Sequence, residues 1–255
     1  MIIGSISEDR KIENRVAITP EILKKYIALG LKVHLVKDYA KHLGINDNEY
    51  EAEGANIIND ENEIITNSDA VIQLNILSDD NLKKLKEGQI FVGVLNPYMN
   101  EKKLKEITLK KINCFSLELL PRITRAQSMD ILSSQANLAG YKAVVDSFAS
   151  FQKAIPMMMT AAGTISAARV LVVGAGVAGL QAIATAKRMG AIVFATDVRL
   201  ASKEQVESLG GKFLSVEGSE NLETEGGYAK ETSNEFKKKQ ENLLKNTLKK
   251  IDIII

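Results

Sequence analysis

The sequence has little sulfur, few histidines and no tryptophan. One of its 255 residues is a cysteine, Cys114, and two are histidines, His34 and His42. A single cysteine excludes a disulfide framework and a cysteine-based metal site, so we expect no metal. Neither histidine stands near an aspartate and serine arrangement, which argues against a Ser-His-Asp triad.

An excess of charge and long apolar runs are also missing. The 33 Lys and Arg residues nearly balance the 32 Asp and Glu residues, giving a net charge of +1. This balance gives no electrostatic reason to expect a nucleic-acid partner. No apolar run reaches the roughly 18 residues of a spanning helix, and the N-terminus does not resemble a signal peptide. We therefore expect a cytoplasmic protein with no transmembrane segment of its own.

The most informative stretch that is present runs from Arg169 to Arg199. It opens with an apolar run rich in β-branched residues, typical of a strand buried in a parallel sheet. Gly174, Gly176 and Gly179 follow in the spacing G-x-G-x-x-G, before a predicted helix and a second predicted strand. These positions together predict a Rossmann unit. A glycine-rich turn used only for packing would not explain Asp197 at the end of the second strand.

Each residue type in this unit suits a dinucleotide. Gly176 lets a pyrophosphate approach the backbone, and the following helix N-terminus favours negative charge. Asp197 can accept hydrogen bonds from a ribose diol and would repel a 2′-phosphate, so the predicted cofactor is NAD. Arg199 complicates this choice, because an arginine can accommodate a 2′-phosphate. Val177 and Val198 adjoin these residues and complete the predicted cofactor-binding set of this unit.

The first half of the chain alternates predicted strands and helices, which indicates an α/β domain on a parallel sheet. Thr19 and Pro20 are a plausible N-cap and first helical residue. The predicted fold is α/β, with two Rossmann-like domains that each have a parallel sheet. We expect an N-terminal domain over 1–136, a linking helix and connector over 137–165, and the NAD-binding domain over 166–255.

The second domain is expected to be incomplete in this chain. Its last residues, 252–255, read as the start of a fourth buried strand. A dinucleotide fold has further strands beyond that point, and a strand without them would leave an apolar edge. The pattern predicts a truncated chain or one completed by another polypeptide.

One segment between the two predicted domains differs from its surroundings. Residues 118–134 follow a predicted strand and contain Arg122 and Arg125, with Gln127 and Asp130 close behind. Loops after parallel strands are where ligands bind in open α/β sheets. Gln127 could give a carboxamide one donor and one acceptor, and Arg122 could pair with Asp130. A surface salt bridge with a capping role for Ser128 is the alternative.

Several motifs together resemble a known family. The chain is similar to the NAD(H)-binding component of proton-translocating NAD(P) transhydrogenases, within a superfamily that includes alanine dehydrogenases. The motifs are ENRVAITP (13–20), PRITRAQSMDILSS (121–134), NLAGYKA (137–143), TAAG (160–163), VVGAGVAG (172–179) and GGYAK (226–230).

The resemblance assigns roles to particular positions. It implies that Arg122, Gln127 and Asp130 hold the nicotinamide for hydride transfer. Further polar contacts to the cofactor are expected in the same region, and the family's loop that closes over bound nucleotide has a glycine and a tyrosine at matching positions. The residues with these expected contacts are Arg125, Ser128, Ser133, Gly227 and Tyr228.

The sequence departs from the alanine dehydrogenases at two positions. Those enzymes use a lysine and a histidine in the first domain for the keto acid, and the matching positions here are Asn75 and Asn96. Arg15, which matches their carboxylate-binding arginine, is retained. Family members also continue past Ile255. An amino-acid oxidoreductase and a non-catalytic truncated remnant or assembly subunit therefore remain the alternatives.

The resemblance finally implies a function and a setting. NADH bound between the domains would be positioned for direct hydride transfer to NADP⁺ on a partner domain. The implied partners are that NADP(H)-binding domain, the membrane subunits of the transhydrogenase and a second copy in a homodimer. The implied location is peripheral, on the inner face of the plasma membrane.

Overall fold

The computed structural model of the protein describes residues 1–215 and 234–255. Their contacts divide the chain into two compact units, Met1–Asp130 and Ile131–Ile255. The domain limits expected from the sequence stay a prediction. Both units are α/β with parallel sheets, which confirms the predicted fold class.

The first unit is built on a six-stranded, wholly parallel sheet with the order β3-β2-β1-β4-β5-β6. The order reverses between β1 and β4, so the carboxyl ends of these two strands flank a crevice. The elements are β1 (Ile2–Ser5), α1 (Pro20–Ala28), β2 (Lys32–Val36), α2 (Asp47–Ala52), β3 (Asn56–Ile58), α3 (Glu61–Asn67), β4 (Ala70–Asn75), α4 (Asp79–Lys84), β5 (Ile90–Val94), α5 (Glu101–Leu109) and β6 (Asn113–Ser116).

Local sequence explains how this unit starts its first helix. The Thr19 hydroxyl accepts a hydrogen bond from the Ile22 N–H at 3.4 Å, and Pro20 begins α1 without a donor to satisfy. Behind α1 the core closes on Tyr50. Its ring is fully buried and its hydroxyl donates to the Ile18 carbonyl at 3.0 Å, so no polar atom of this ring is left unpaired.

The second unit has a four-stranded parallel sheet in the order β11-β10-β9-β12 and a separate antiparallel hairpin, β7-β8. The sheet therefore repeats the 3-2-1-4 order of the first unit. The elements are α6 (Ile131–Ser150), β7 (Met158–Thr160), β8 (Gly163–Ile165), β9 (Arg169–Val173), α7 (Val177–Arg188), β10 (Ile192–Thr196), α8 (Ser202–Ser208), β11 (Lys212–Phe213), α9 (Asn234–Leu248) and β12 (Ile253–Ile254).

The long helix α6 crosses α7 at very close range. A Cβ on Gly140 would lie 2.0 Å from the Ala178 carbonyl oxygen, which no other residue type could tolerate without a backbone shift. One and two turns farther along, Val144 and Phe148 are buried in the core of this unit. The glycine of the NLAGYKA motif therefore has a packing role.

Three element boundaries differ from the sequence expectations. The helix expected from Asn137 begins at Ile131, because its apolar residues do not form one stripe that marks the first turn. The connector expected over 153–165 contains the β7-β8 hairpin, whose turn uses Gly163 at φ +139°. The strand expected over 212–216 comprises Lys212–Phe213 among the described residues. Within 1–215 and 234–255, no helix is both long and apolar enough to cross a membrane.

Candidate functional site

The glycine-rich turn between β9 and α7 leaves a length of backbone uncovered. Gly174 leaves the strand at φ +102°, a left-handed conformation that favours glycine, and its N–H donates to the Thr196 carbonyl at 2.8 Å. Gly176 is the N-cap of α7. The nearest heavy atom to a Cβ built on Gly176 is Arg199 Nη2, at 3.9 Å. This space and the free N–H groups of the helix fit a pyrophosphate.

The third glycine has a different reason. A Cβ on Gly179 would lie 1.8 Å from the Gly174 carbonyl oxygen and 3.5 Å from Val172 Cγ1. The first turn of α7 is thus pressed against the end of β9. Gly179 sets this helix–strand distance, whereas Gly176 leaves room for a ligand, and the two roles are those expected from the sequence.

Asp197 and Arg199 form one unit at the end of β10. The Arg199 guanidinium donates to both carboxylate oxygens, from Nε to Oδ1 and from Nη2 to Oδ2, each at 2.9 Å. The backbone N–H groups of Arg199 and Ala175 add bonds of 2.8 and 2.7 Å. The Asp197 side chain is 7% exposed and that of Arg199 21%.

These contacts determine the charge state of the carboxylate. Burial raises the pKa of Asp197, but the hydrogen bonds from the Arg199 side chain and the two backbone N–H groups outweigh it and hold the pKa below its usual value. Asp197 is therefore ionised at neutral pH. Sequence reasoning set Asp197 and Arg199 against each other as NAD and NADP determinants, but the structure joins them in a bidentate ion pair. Val198 lies half-buried between them, and Val177 is exposed at the start of α7.

The segment expected to hold the nicotinamide is a surface loop of the first unit. Arg122 Nη2 lies 3.4 Å from Asp130 Oδ2, so the expected pairing of these two residues is present. Between them, Thr124–Met129 forms a short 3₁₀-helix, with Ala126 buried beneath it. Three predicted site residues on that helix are exposed: Arg125, Gln127 and Ser128. Ser133 instead lies in the first turn of α6, within the second unit.

Glu118 is a residue that the sequence analysis did not single out. Its carboxylate accepts hydrogen bonds from the Leu95 N–H at 3.3 Å and the Asn96 N–H at 2.5 Å. Asn96 has φ +45°, so the turn after β5 is held in an uncommon conformation. Glu118 thereby ties the start of the 117–130 loop to that turn. Nothing in the local pattern, one glutamate after a strand, signalled the role.

The crevice of the first unit is filled by its own side chains. Glu8 accepts hydrogen bonds from the Leu74 N–H at 2.6 Å and from Asn75 Nδ2 at 3.3 Å, and burial raises the pKa of Glu8. Arg15 donates to Glu13 from Nε at 2.8 Å and from Nη2 at 2.5 Å. Chiefly through these bonds, Arg15 lowers the pKa of Glu13 to about 2.

Two further expectations concern residues that cannot be compared in full. Gly227 and Tyr228, the expected closing loop, lie outside the described residues, so they stay predictions. Among residues 1–215 and 234–255, no group of three or more His, Cys, Asp or Glu side chains could hold a metal ion.

Comparison with known proteins assigns the family. The model "Alanine dehydrogenase/PNT, N-terminal domain" matches residues 4–139, and "Alanine dehydrogenase/PNT, C-terminal domain" matches residues 143–255. The chain belongs to the alanine dehydrogenase/PNT family. Members of this family bind NAD(P), so the glycine-rich turn lies in a nucleotide-binding family fold.

Individual relatives point to the transhydrogenase branch. The first part of the NAD(P) transhydrogenase alpha subunit of Rickettsia prowazekii is 49% identical over 100% of this chain and 68% of its own length. Alanine dehydrogenase of Methanococcus maripaludis is 28% identical over 78% of this chain and 53% of its own length. A crystal structure of transhydrogenase from Sinorhizobium meliloti is 45% identical with a TM-score of 0.80, covering 85% of this chain and 64% of that one. The family resemblance seen in the sequence is thus confirmed, and the chain spans about two thirds of these transhydrogenase proteins.

Proposed function

We propose that this chain is the NAD(H)-binding component of a proton-translocating NAD(P) transhydrogenase. The observation that carries the proposal is the turn at Gly176. It offers open backbone at a helix N-terminus, beside an ionised carboxylate at the end of the next strand. The 49% identity to the first part of a transhydrogenase alpha subunit gives the branch of the family.

The second unit would hold the dinucleotide. The backbone N–H groups at the start of α7 would face the pyrophosphate, and Asp197 would accept hydrogen bonds from the adenosine ribose. NAD(H) is the favoured cofactor because a 2′-phosphate would meet this negative carboxylate. The bidentate bond from Arg199 holds the carboxylate in one orientation, so little rotational freedom remains to be lost on binding.

The loop of the first unit would orient the reacting ring. Gln127 is exposed and can offer one donor and one acceptor to a carboxamide. The Arg122–Asp130 pair closes the loop around it and would fix its position. When bound, NADH would supply the hydride that passes to NADP⁺, and the residues named here contribute positioning without acid–base chemistry.

The partners follow from the same proposal. A relative whose name makes it one section of an alpha subunit belongs to a protein of several polypeptides, so an NADP(H)-binding domain and membrane subunits would be separate from this chain. We propose a homodimer that is peripheral on the inner face of the plasma membrane. Light scattering of the purified chain would test the dimer.

An amino-acid oxidoreductase is less well supported. Asn75 and Asn96 offer no acid or base for a keto acid. Arg15 is already engaged by Glu13. An NADH titration that pyruvate does not alter would agree with the transhydrogenase proposal, whereas a non-catalytic remnant would bind no NADH at all.

The experiment for the proposed function is Gln127→Asn in the complete complex. Shortening the side chain by one methylene should misplace the ring and lower the rate of hydride transfer at least ten-fold, with NADH affinity within about two-fold of the unaltered protein. Stopped-flow transhydrogenation and an NADH titration measure the two quantities.

Gln152→Asn is the matched control, because Gln152 is another exposed glutamine, outside the proposed site. It should leave both quantities unchanged. If Gln127→Asn lowers affinity and rate by the same factor, the loop only binds. If it changes neither, the loop has no role in the reaction.

A further inference from the structure

A basic pocket lies at the amino-terminal edge of the second unit's sheet, at the opposite end of β9 from the glycine-rich turn. It has a volume of about 430 Å³ and is formed by three separate stretches of chain. Its lining carries four cations, Lys153, Arg169, Lys249 and Lys250, against a single carboxylate, Asp252. We call these five residues and the cavity between them the basic pocket.

The single carboxylate in the basic pocket is largely engaged by the fold. Asp252 Oδ2 accepts a hydrogen bond from the Arg169 backbone N–H at 2.9 Å, which fixes the start of β12 against β9. Its Oδ1 lies 3.8 Å from Lys153 Nζ. One acid of this kind offsets at most one of the four positive charges, so the pocket keeps an excess of about three.

The helix dipole accounts for some of this charge but not for all of it. Lys249 and Lys250 directly follow α9, where cations complement the carbonyl end of a helix, and Lys249 Nζ also contacts Asn246 Oδ1 at 3.4 Å. Lys153 and Arg169 belong to no helix end that needs them. Arg169 opens a β-strand, and Lys153 lies beyond the end of α6.

The walls of the basic pocket limit what could enter. Phe151, Ile165 and Ile251 contribute apolar surface, and Ser166 contributes a hydroxyl. An arginine beside lysines is the arrangement that binds phosphate, since the guanidinium can donate two parallel hydrogen bonds while the ammonium groups supply charge. The volume is near the lower end of small-molecule sites. A carboxylate, with one charge, would leave most of the excess uncompensated.

We propose that the basic pocket binds a phosphate-bearing anion, at a site separate from the glycine-rich turn. This inference does not depend on the proposed transhydrogenase function. The same chemistry could be presented by a small phosphorylated molecule or by the headgroup of an acidic lipid.

The test is a calorimetric titration with inorganic pyrophosphate at constant ionic strength, in the Gly176→Val protein so that the glycine-rich turn does not compete. We expect one saturable site, and at least a ten-fold loss of affinity when Arg169→Gln and Lys250→Gln are combined. The double variant Lys237→Gln and Lys238→Gln removes the same charge from exposed positions at the other end of α9, and should change affinity less than about two-fold.

No saturable binding would overturn the proposal, as would an equal loss in both double variants, since the attraction would then be general. Sedimentation with vesicles of phosphatidic acid, compared with phosphatidylcholine, separates the two sources. Binding to the acidic vesicles that only the pocket variant loses assigns a lipid headgroup. Binding of pyrophosphate that the pocket variant loses, without such a vesicle effect, assigns a soluble phosphate compound.

Discussion

The two units share one strand order but treat the same position in opposite ways. In both sheets the order reads 3-2-1-4, and ligands of such sheets bind where the order reverses. In the first unit that crevice is closed by Glu8, Asn75 and the Glu13–Arg15 pair. In the second unit the corresponding turn has bare backbone at Gly176. Topology thus prepares a site in both units, and side chains decide which one can accept a ligand.

The largest effect that the comparison predicts comes from the helix–strand contact of the second unit. Gly179→Ala would place a methyl group 1.8 Å from the Gly174 carbonyl oxygen, so the turn must open. We expect a loss of at least about 2–3 kcal/mol in the free energy of unfolding, measured by urea denaturation.

Gly176→Ala is the matched control for that stability measurement. It makes the same chemical change three residues away, where the nearest atom is 3.9 Å distant. It should leave the free energy of unfolding within about 0.5 kcal/mol. Equal stability of the two variants would contradict the division of roles between the two glycines.

A second prediction concerns cofactor choice in the open site. The unaltered protein should bind NADH more tightly than NADPH. Asp197→Ala removes the carboxylate and releases the Arg199 side chain from its bidentate pair, so the NADH preference should narrow about ten-fold, mainly through better NADPH binding. Fluorescence titrations with both cofactors measure it.

Arg199→Gln sharpens this prediction. In the Asp197→Ala background it should remove the gain in NADPH affinity, because the amide cannot match the guanidinium's charge. Equal affinities for NADH and NADPH in the unaltered protein would contradict the role given to Asp197.

The smallest effect is expected in the closed crevice, where Glu13 should matter for stability alone. Its pKa of about 2 lies below the unfolded value near 4.5, so its contribution is complete above about pH 5 and is lost as the pH falls toward 2. Because the Arg15 side chain is half exposed, Glu13→Gln should lower the free energy of unfolding by only about 1 kcal/mol at pH 7.

The pH dependence provides the check on this assignment. The difference between Glu13→Gln and the unaltered protein should shrink between pH 5 and pH 3 in urea denaturation. Glu51→Gln, at an exposed position on α2, should show no such difference. A difference that grows on acidification would contradict the assignment of the ion pair.

Much of the fold could be predicted from the sequence where local physics decides. The buried strands, the Thr19 cap and the glycine-rich turn each depend on neighbouring residues, and the structure confirms them. The Arg122–Asp130 pair was also expected, since eight residues of loop can return on themselves. The functional roles of these loop residues remain proposals.

What could not be predicted depends on distant stretches of the chain. The Glu118 contact joins residues more than twenty positions apart, and Gly140 needs its small size only because α7 passes there. The basic pocket needs three stretches that are separated by up to about a hundred residues. Such contacts leave no local period or spacing in the sequence.

The most direct test of the nucleotide site compares NADH dissociation constants for Gly176→Val and Asn75→Ala. Gly176→Val places a branched side chain in the open turn, whereas Asn75→Ala alters the closed crevice. We expect affinity to fall at least ten-fold in Gly176→Val, with an unchanged unfolding midpoint, and to stay within about two-fold in Asn75→Ala. Unchanged affinity in Gly176→Val, or an equal loss in both variants, would contradict the claim that the second unit alone provides the nucleotide site.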